Sequence, residues 1–363
     1  MLAPDHTKLP AIARIFQIDG QLQQVAPFGG GHINDTFRLT IACAGRNRRF
    51  ILQRLNSHVF KNPIVVMENI RRVTTHIASK MTGISNGERR VLRLVPTRDG
   101  QDFYRDEQGN CWRMFPFVEQ TRTVDVVESS AQAFAVAQAF GEFQKLLSDL
   151  PAPRLHETIP DFHNTPNRFA ALEKAIATDS CHRAALAGPE IEFALRHKPI
   201  CDVLFKANPP ERVTHNDTKI NNVLLDETTG EGLCVIDLDT VMPGVLPCDF
   251  GDLVRSAANS TREDELDLAK VEMQFALFEA LLRGYVAGAG EMMTAEERIL
   301  LPVAGQVIAF ELGLRFLADF LAGDVYFKTR REGQNLDRCR VQFKLFESMQ
   351  RQEPAMRQLL NVI

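Results

Sequence analysis

Short apolar or alternating runs at 25–28, 36–42, 48–55, 91–96 and 111–118 are separated by Gly, Asn and Asp, which predicts strands and turns. Between the third and fourth runs, Val65, Val66, Asn69, Val73 and Ile77 recur at helical spacing, so one helix over 62–79 interrupts a small sheet. From Thr123 the period becomes helical. Over 125–150, Val127, Ala131, Phe134, Ala135, Phe140, Phe143, Leu146 and Leu147 fall on one side, and further helices are predicted at 166–177, 189–205, 262–287, 295–322 and 336–362. The exception is 212–241, where β-like runs at 222–225 and 232–238 flank Asp-Glu-Thr-Thr-Gly and predict a hairpin. The change of period at 117–121 divides the chain into a small β-rich lobe, 1–118, and a larger mainly α-helical lobe, 119–363. The expected class is α+β.

Length agrees with two lobes, since 363 residues at roughly 150 per domain make about two. The 42 Lys and Arg against 46 Asp and Glu give a net charge of −4, so there is no basic excess to grip nucleic acid or an anionic membrane. Seven cysteines stand at long intervals with no C-x-x-C pair. That suits neither a disulfide framework nor a zinc site, and predicts free thiols in a reducing, cytoplasmic compartment. The apolar window 299–310 is broken by Pro302, Gly305 and Gln306 and falls short of the roughly 18 residues of a membrane span.

The richest segment for chemistry is Val213-Thr-His-Asn-Asp-Thr-Lys-Ile-Asn-Asn, followed by Cys234-Val-Ile-Asp-Leu-Asp-Thr. Phosphoryl transfer needs a carboxylate to orient and deprotonate a hydroxyl, and oxygen ligands to hold Mg²⁺ on the phosphates. Asp217 is the candidate base, with Asn222 and Asp237 as metal ligands. Lys219 would place its ammonium near the transferred phosphate. Asp239 either joins the metal or orients Asp237. The spacing from Asp217 to Asn222 is that of the kinase catalytic loop, without the Arg between His and Asp. Asp249-Phe-Gly spells a kinase metal-binding triplet but follows Pro247 rather than a strand, so Asp249 and Asp252 read as caps or anchors of the next helix.

His-x-Asp-x-x-x-x-Asn followed by Ile-Asp-x-Asp resembles the aminoglycoside phosphotransferase and choline kinase branch of the protein-kinase-like fold. Four further segments are similar to the bacterial N-acetylhexosamine 1-kinase family, over about 27–343: Phe28-Gly-Gly-Gly-His-Ile-Asn-Asp-Thr-Phe, Ile159-Pro-Asp-Phe-His-Asn-Thr-Pro-Asn-Arg-Phe, Ile236-Asp-Leu-Asp-Thr-Val-Met-Pro-Gly and Arg331-Glu-Gly-Gln-Asn-Leu-Asp-Arg. The resemblance implies a two-lobed kinase with ATP and Mg²⁺ between the lobes, transferring phosphate to the anomeric hydroxyl of N-acetylglucosamine or N-acetylgalactosamine. The alternatives are a kinase of choline, homoserine, methylthioribose or an aminoglycoside, or a catalytically silent nucleotide or sugar sensor.

In such a lobe the hairpin bearing Gly30, Gly31 and His32 would cover the phosphates, with Asn34 and Asp35 turned inward; the resemblance brings Asp35 to the acceptor. A kinase carries a Lys on the third strand. Here Gln53 stands in that place, with Arg54 on the opposite face of the strand; Glu68 of the next helix is either its partner or an exposed helix charge. Phe115 and Phe117 either enclose a purine at a hinge or are core. Asp161, His163 and Asn164 either meet sugar hydroxyls or cap the helix begun by Pro166. Arg315, on an otherwise apolar helix, contacts sugar by resemblance or forms a structural ion pair.

Overall fold

The computed structural model describes residues 6–29, 33–259 and 261–363, and the chain divides into two compact units. The first comprises Met1–Thr121, Asp149–Pro160 and Leu233–Met242; it thus takes in two segments that the change of period assigns to the helical lobe. It opens with a short helix that the sequence pattern did not announce, α1 (Leu9–Ala13). The strands β1 (Gln21–Pro27), β2 (Asp35–Cys43), β3 (Arg46–Arg54), β4 (Tyr104–Arg105) and β5 (Cys111–Pro116) form an antiparallel sheet in the order β1-β2-β3-β5-β4. Alternation assigns the faces. Phe37, Leu39, Ile41, Phe50, Leu52, Trp112 and Met114 pack with Leu9, Ile12 and Phe16 of the N-terminal segment into one core. The other face of β3 and β5 carries Gln53, Arg113 and Phe115.

The helix α2 (Pro63–Lys80) starts where Asn62 accepts from the Ile64 N–H at 3.2 Å and Pro63 fixes the first turn. Its buried face includes Val66, Ile70, Val73 and Ile77 at helical spacing. Asn69, fully buried, donates to the carbonyls of His156 (2.8 Å) and Val241 (3.0 Å) and accepts from the His156 N–H (3.0 Å). Those bonds tie both late segments into the first unit.

The second unit holds α3 (Ser130–Leu147), α4 (Thr165–Thr178), α5 (Gly188–Arg196), α6 (Val203–Ala207), α7 (Leu246–Ala257), α8 (Phe275–Ala289), α9 (Ala295–Leu321) and α10 (Gln334–Leu360). Helices α3 and α8 meet backbone to backbone: a Cβ at Gly284 would lie 2.3 Å from the Phe134 carbonyl oxygen, so glycine there sets the approach. Contrary to the expectation from 299–310, α9 is long and apolar enough to cross a membrane by length and composition alone, yet most of it is buried inside the protein. All seven cysteines are free.

Three sequence expectations need correction. Residues 91–96 run without ladder pairing, with the Val95 N–H bonded to the Met114 carbonyl. The helix expected over 262–287 forms only from Phe275, because Asn259 and Asp267 turn their side chains onto Thr261 and Ala269 and favour turns. The helix expected over 189–205 breaks at Arg196, just before Pro199.

Candidate active site

In the second unit, strand Glu211–Thr214 delivers the chain to the loop that carries Asp217. Asn216 is left-handed (φ 62°), a conformation Asn tolerates, and its side chain accepts from Thr214 Oγ1 at 3.0 Å. Asp249, fully buried in the first turn of α7, accepts from the backbone N–H of His215 (2.8 Å) and Asn216 (2.7 Å) and from Gln144 Nε2 (2.6 Å). Thr218 Oγ1 donates to its carbonyl at 2.5 Å. The expectation that Asp249 serves its own helix therefore gives way: its carboxylate anchors the loop that carries Asp217. Asp252, expected in the same role, pairs instead with Arg255. The His215 ring is buried edge-on to Phe140 and Phe143, and its Nδ1 accepts from the Asp217 N–H at 3.3 Å.

Gly244 closes the loop from behind. A Cβ there would fall 2.2 Å from Thr214 Oγ1 and 2.8 Å from Asn216 Oδ1. Gly244→Ala is expected to push the loop out of place at a cost of about 1–3 kcal/mol in stability and roughly tenfold or more in turnover, read by thermal melting and by ADP release.

Asp217 lies 2.9 Å from Lys219 Nζ. Burial alone would raise its pKa, but the charge and hydrogen bond of Lys219, with His215 and Arg255, hold it below the ordinary carboxylate value. Reciprocally, Asp217 raises the pKa of Lys219. Asn222 Nδ2 donates to the Asp217 carbonyl at 2.8 Å, and no partner among the described residues meets its Oδ1. An amide oxygen left over in this way suits a hard cation. Among the described residues no three His, Cys, Asp or Glu side chains form a metal cage. Mg²⁺ does not require one, since it takes one or two protein oxygens together with phosphates and water.

The first unit holds the residues expected on the nucleotide side. Gly30, Gly31 and His32 lie outside the described residues. Asp35, expected at the acceptor, is ion-paired with Arg54 at 2.6 Å. Gln53 is spent internally, its Nε2 on Thr36 Oγ1 (3.1 Å) and its Oε1 on Arg113 Nε (3.0 Å). Glu68 does not partner Gln53; it meets His156 Nε2 at 3.0 Å on the surface. Phe117 stacks edge-on with Phe28 at 5.7 Å, bringing the flank of the glycine hairpin onto the end of β5, while Phe115 is buried. Asp237 is half-buried and left-handed (φ 59°), a strained conformation of the kind found at functional sites. Asp239 is almost wholly buried and ion-paired with Arg113.

The polar cluster expected at the acceptor divides in two. His163 Nδ1 meets Glu311 at 2.8 Å and Nε2 meets the Asn216 carbonyl at 3.1 Å. Both partners are acceptors, so the ring holds two protons; burial opposes this, but the charge and hydrogen bond of Glu311 raise its pKa. With both nitrogens engaged, His163 buttresses the loop rather than touching substrate. Asn164 caps α4, accepting from the Asn167 N–H at 3.1 Å, and its amide donates to Asp161, which is left-handed and exposed. Arg315, one turn beyond Glu311, has no hydrogen bond or ion pair among the described residues. Its guanidinium faces the rings of Phe162, Tyr326 and Phe327 at 5.1, 5.9 and 5.5 Å. The buried Asp319 shapes the loop bearing the last two rings, accepting the N–H groups of Val325, Tyr326 and Phe327 at 2.8–3.0 Å.

Sequence reasoning missed Arg113, Glu311 and Asp319. Arg113 had a usable signal, a charge inside an apolar strand.

The fold is that of kinase-like phosphotransferases. It is similar to an aminoglycoside phosphotransferase from Alicyclobacillus acidocaldarius (TM-score 0.59, 14% identity, covering 100% of this chain and 98% of that one). It is also similar to a microcompartment-associated aminopropanol kinase (0.59, 14%, 97% and 99%) and to a choline kinase from Cryptosporidium parvum (0.56, 13%, 97% and 97%). A family model for phosphotransferase enzymes matches residues 24–290, a span that contains the Asp217 loop and the glycine hairpin; the chain belongs to this APH phosphotransferase family.

Proposed function

We propose that this chain transfers the γ-phosphoryl group of ATP to the anomeric hydroxyl of an N-acetylhexosamine, with Asp217 as the general base. Membership of the family makes it a small-molecule phosphotransferase and implies ATP. The observation that carries the choice of acceptor is Arg315. It is a cation with no hydrogen bond or ion pair among the described residues, over the Phe162 ring and one turn beyond Glu311, which His163 joins to the carbonyl of Asn216, the neighbour of Asp217. Arg168, whose pKa is lowered by burial and by the like charge of Arg315, adds a second positive group to this region. Choline, aminopropanol and aminoglycosides are cations, and two guanidinium groups repel them. A neutral sugar with an acetamide carbonyl offers Arg315 an acceptor and the rings around it an apolar face.

In this reading Asp217, ionised throughout the neutral range, takes the proton of the attacking hydroxyl. The anomeric hydroxyl is acidic for an alcohol, so a carboxylate of low pKa suffices. Lys219 offsets charge on the transferred phosphoryl group, and Asn222 would offer its amide oxygen to Mg²⁺. When bound, that ion neutralises the phosphate oxygens. General-base help of this kind is worth about 10²–10⁴ in rate.

The test is ADP release over N-acetylglucosamine, N-acetylgalactosamine, glucose, choline, homoserine, methylthioribose and kanamycin. An N-acetylhexosamine is expected to give the highest kcat/KM. Preference for a cationic acceptor overturns the reading, and stimulation by none of them favours a silent sensor.

A further inference from the structure

Gln53 leaves β3 without the cation that kinases place there to hold phosphates. The strand next to it supplies one. Register pairs Gln53 with Arg113 of β5 and Thr36 with Gln53, so the three side chains form a row across the sheet, and Phe115 follows Arg113 on the same face. The Arg113 side chain is 1% exposed and Asp239 3%. One carboxylate oxygen of Asp239 is taken by Arg113 Nη1; the other accepts from Asn34 Nδ2 at 2.5 Å. Asn34 belongs to the glycine hairpin, and its own Oδ1 accepts from the Asn56 N–H at 3.0 Å. Asn56 in turn donates to the Ile33 carbonyl at 3.1 Å. Asp239 lies in the single 3₁₀ turn Leu238–Thr240, whose entry residue is the left-handed Asp237.

A buried ion pair is a poor way to gain stability, because desolvating both charges offsets most of their attraction. This one joins three things that nucleotide phosphates depend on: the central strands, the glycine hairpin and the Asp237 turn. We propose that Arg113 is a positioning residue for nucleotide binding, acting from β5 in place of the lysine that β3 lacks. It fixes Asp239, and through Asp239 both the Asn34 end of the hairpin and the backbone that presents Asp237. Arginine suits the task because its fork reaches two acceptors at once, Gln53 through Nε and Asp239 through Nη1, which an ammonium on a flexible stem holds less firmly. Asp239 then serves Arg113 rather than the metal, which resolves the alternative left open by the sequence.

The inference concerns the nucleotide side and stands whatever the acceptor is. It is tested by titration calorimetry of the full chain with Mg²⁺ and a non-hydrolysable ATP analogue, without acceptor, alongside thermal melting. In Arg113→Met with Asp239→Leu, both charges are replaced by apolar groups of similar bulk. That double variant is expected to melt at or above either single variant while binding the nucleotide at least tenfold more weakly. Nucleotide affinity equal to that of the native protein in the folded double variant overturns the proposal. Asn34→Ala, which leaves the ion pair intact, is expected to keep the native melting temperature and lose affinity three- to tenfold. Unchanged affinity there removes the hairpin link and with it the proposal, even if the double variant does not fold.

Discussion

Asp217→Asn is expected to lower turnover at least about a hundredfold while leaving nucleotide affinity within roughly threefold of native. The amide keeps the shape of the carboxylate and its contact with Asn222, but it cannot take a proton and no longer neutralises Lys219. The pH profile carries the same signature. The pKa of Asp217 is lowered in the fold, so its charged pairing is fully present above the ordinary carboxylate value of about 3.9 and is lost as pH falls through its lower folded value. That of Lys219 is raised, so its contribution is present below the ordinary lysine value of about 10.4 and is lost as pH rises through the higher folded value. Neither group titrates between, and kcat should show no ionisation of either from about pH 5 to 9. Near-native turnover in Asp217→Asn removes its assignment as base.

The second large effect is expected at Asp249. One of its oxygens receives the Asn216 N–H, and the other the His215 N–H together with Gln144. In Asp249→Asn either orientation of the amide sets an NH₂ against a backbone donor in a fully buried place. The cost is roughly 2–4 kcal/mol, from the unsatisfied donors and the lost charge. Because the same bonds hold His215 and Asn216, directly before Asp217, turnover should fall by about a hundredfold as well, the usual penalty for a base displaced by an ångström. Urea unfolding and ADP release measure the two effects. A variant with native stability would show that the loop is held by other contacts.

The sequence made the α+β class legible because alternation in 36–54 and helical period after 125 are strong local signals. Boundaries failed where side chains compete with the backbone, as at Asn259 and Asp267, or where an extended run has no ladder, as at 91–96. In the candidate site, the offsets of Asp217, Lys219 and Asn222 were readable because one short loop carries all three. Residues that act across long separations were not. His163 looks like a sugar ligand until Glu311 and the Asn216 carbonyl occupy both its nitrogens. Asp249 looks like a helix cap until its oxygens are found on the loop. Gln53 looks like a weakened kinase lysine, and the cation of that region lies instead on the neighbouring strand, far off in the chain.

The central claim is that the γ-phosphoryl group of ATP passes directly to an anomeric oxygen whose proton Asp217 takes. Phosphorus NMR of the purified protein with MgATP and N-acetylglucosamine tests it directly, with Asp217→Asn in parallel. The expected result, beside the two resonances of ADP, is one phosphomonoester resonance split by coupling to the anomeric proton of the sugar, in the native sample and not in the variant over the same time. Phosphate on another hydroxyl, or equal product from the variant, would contradict the account.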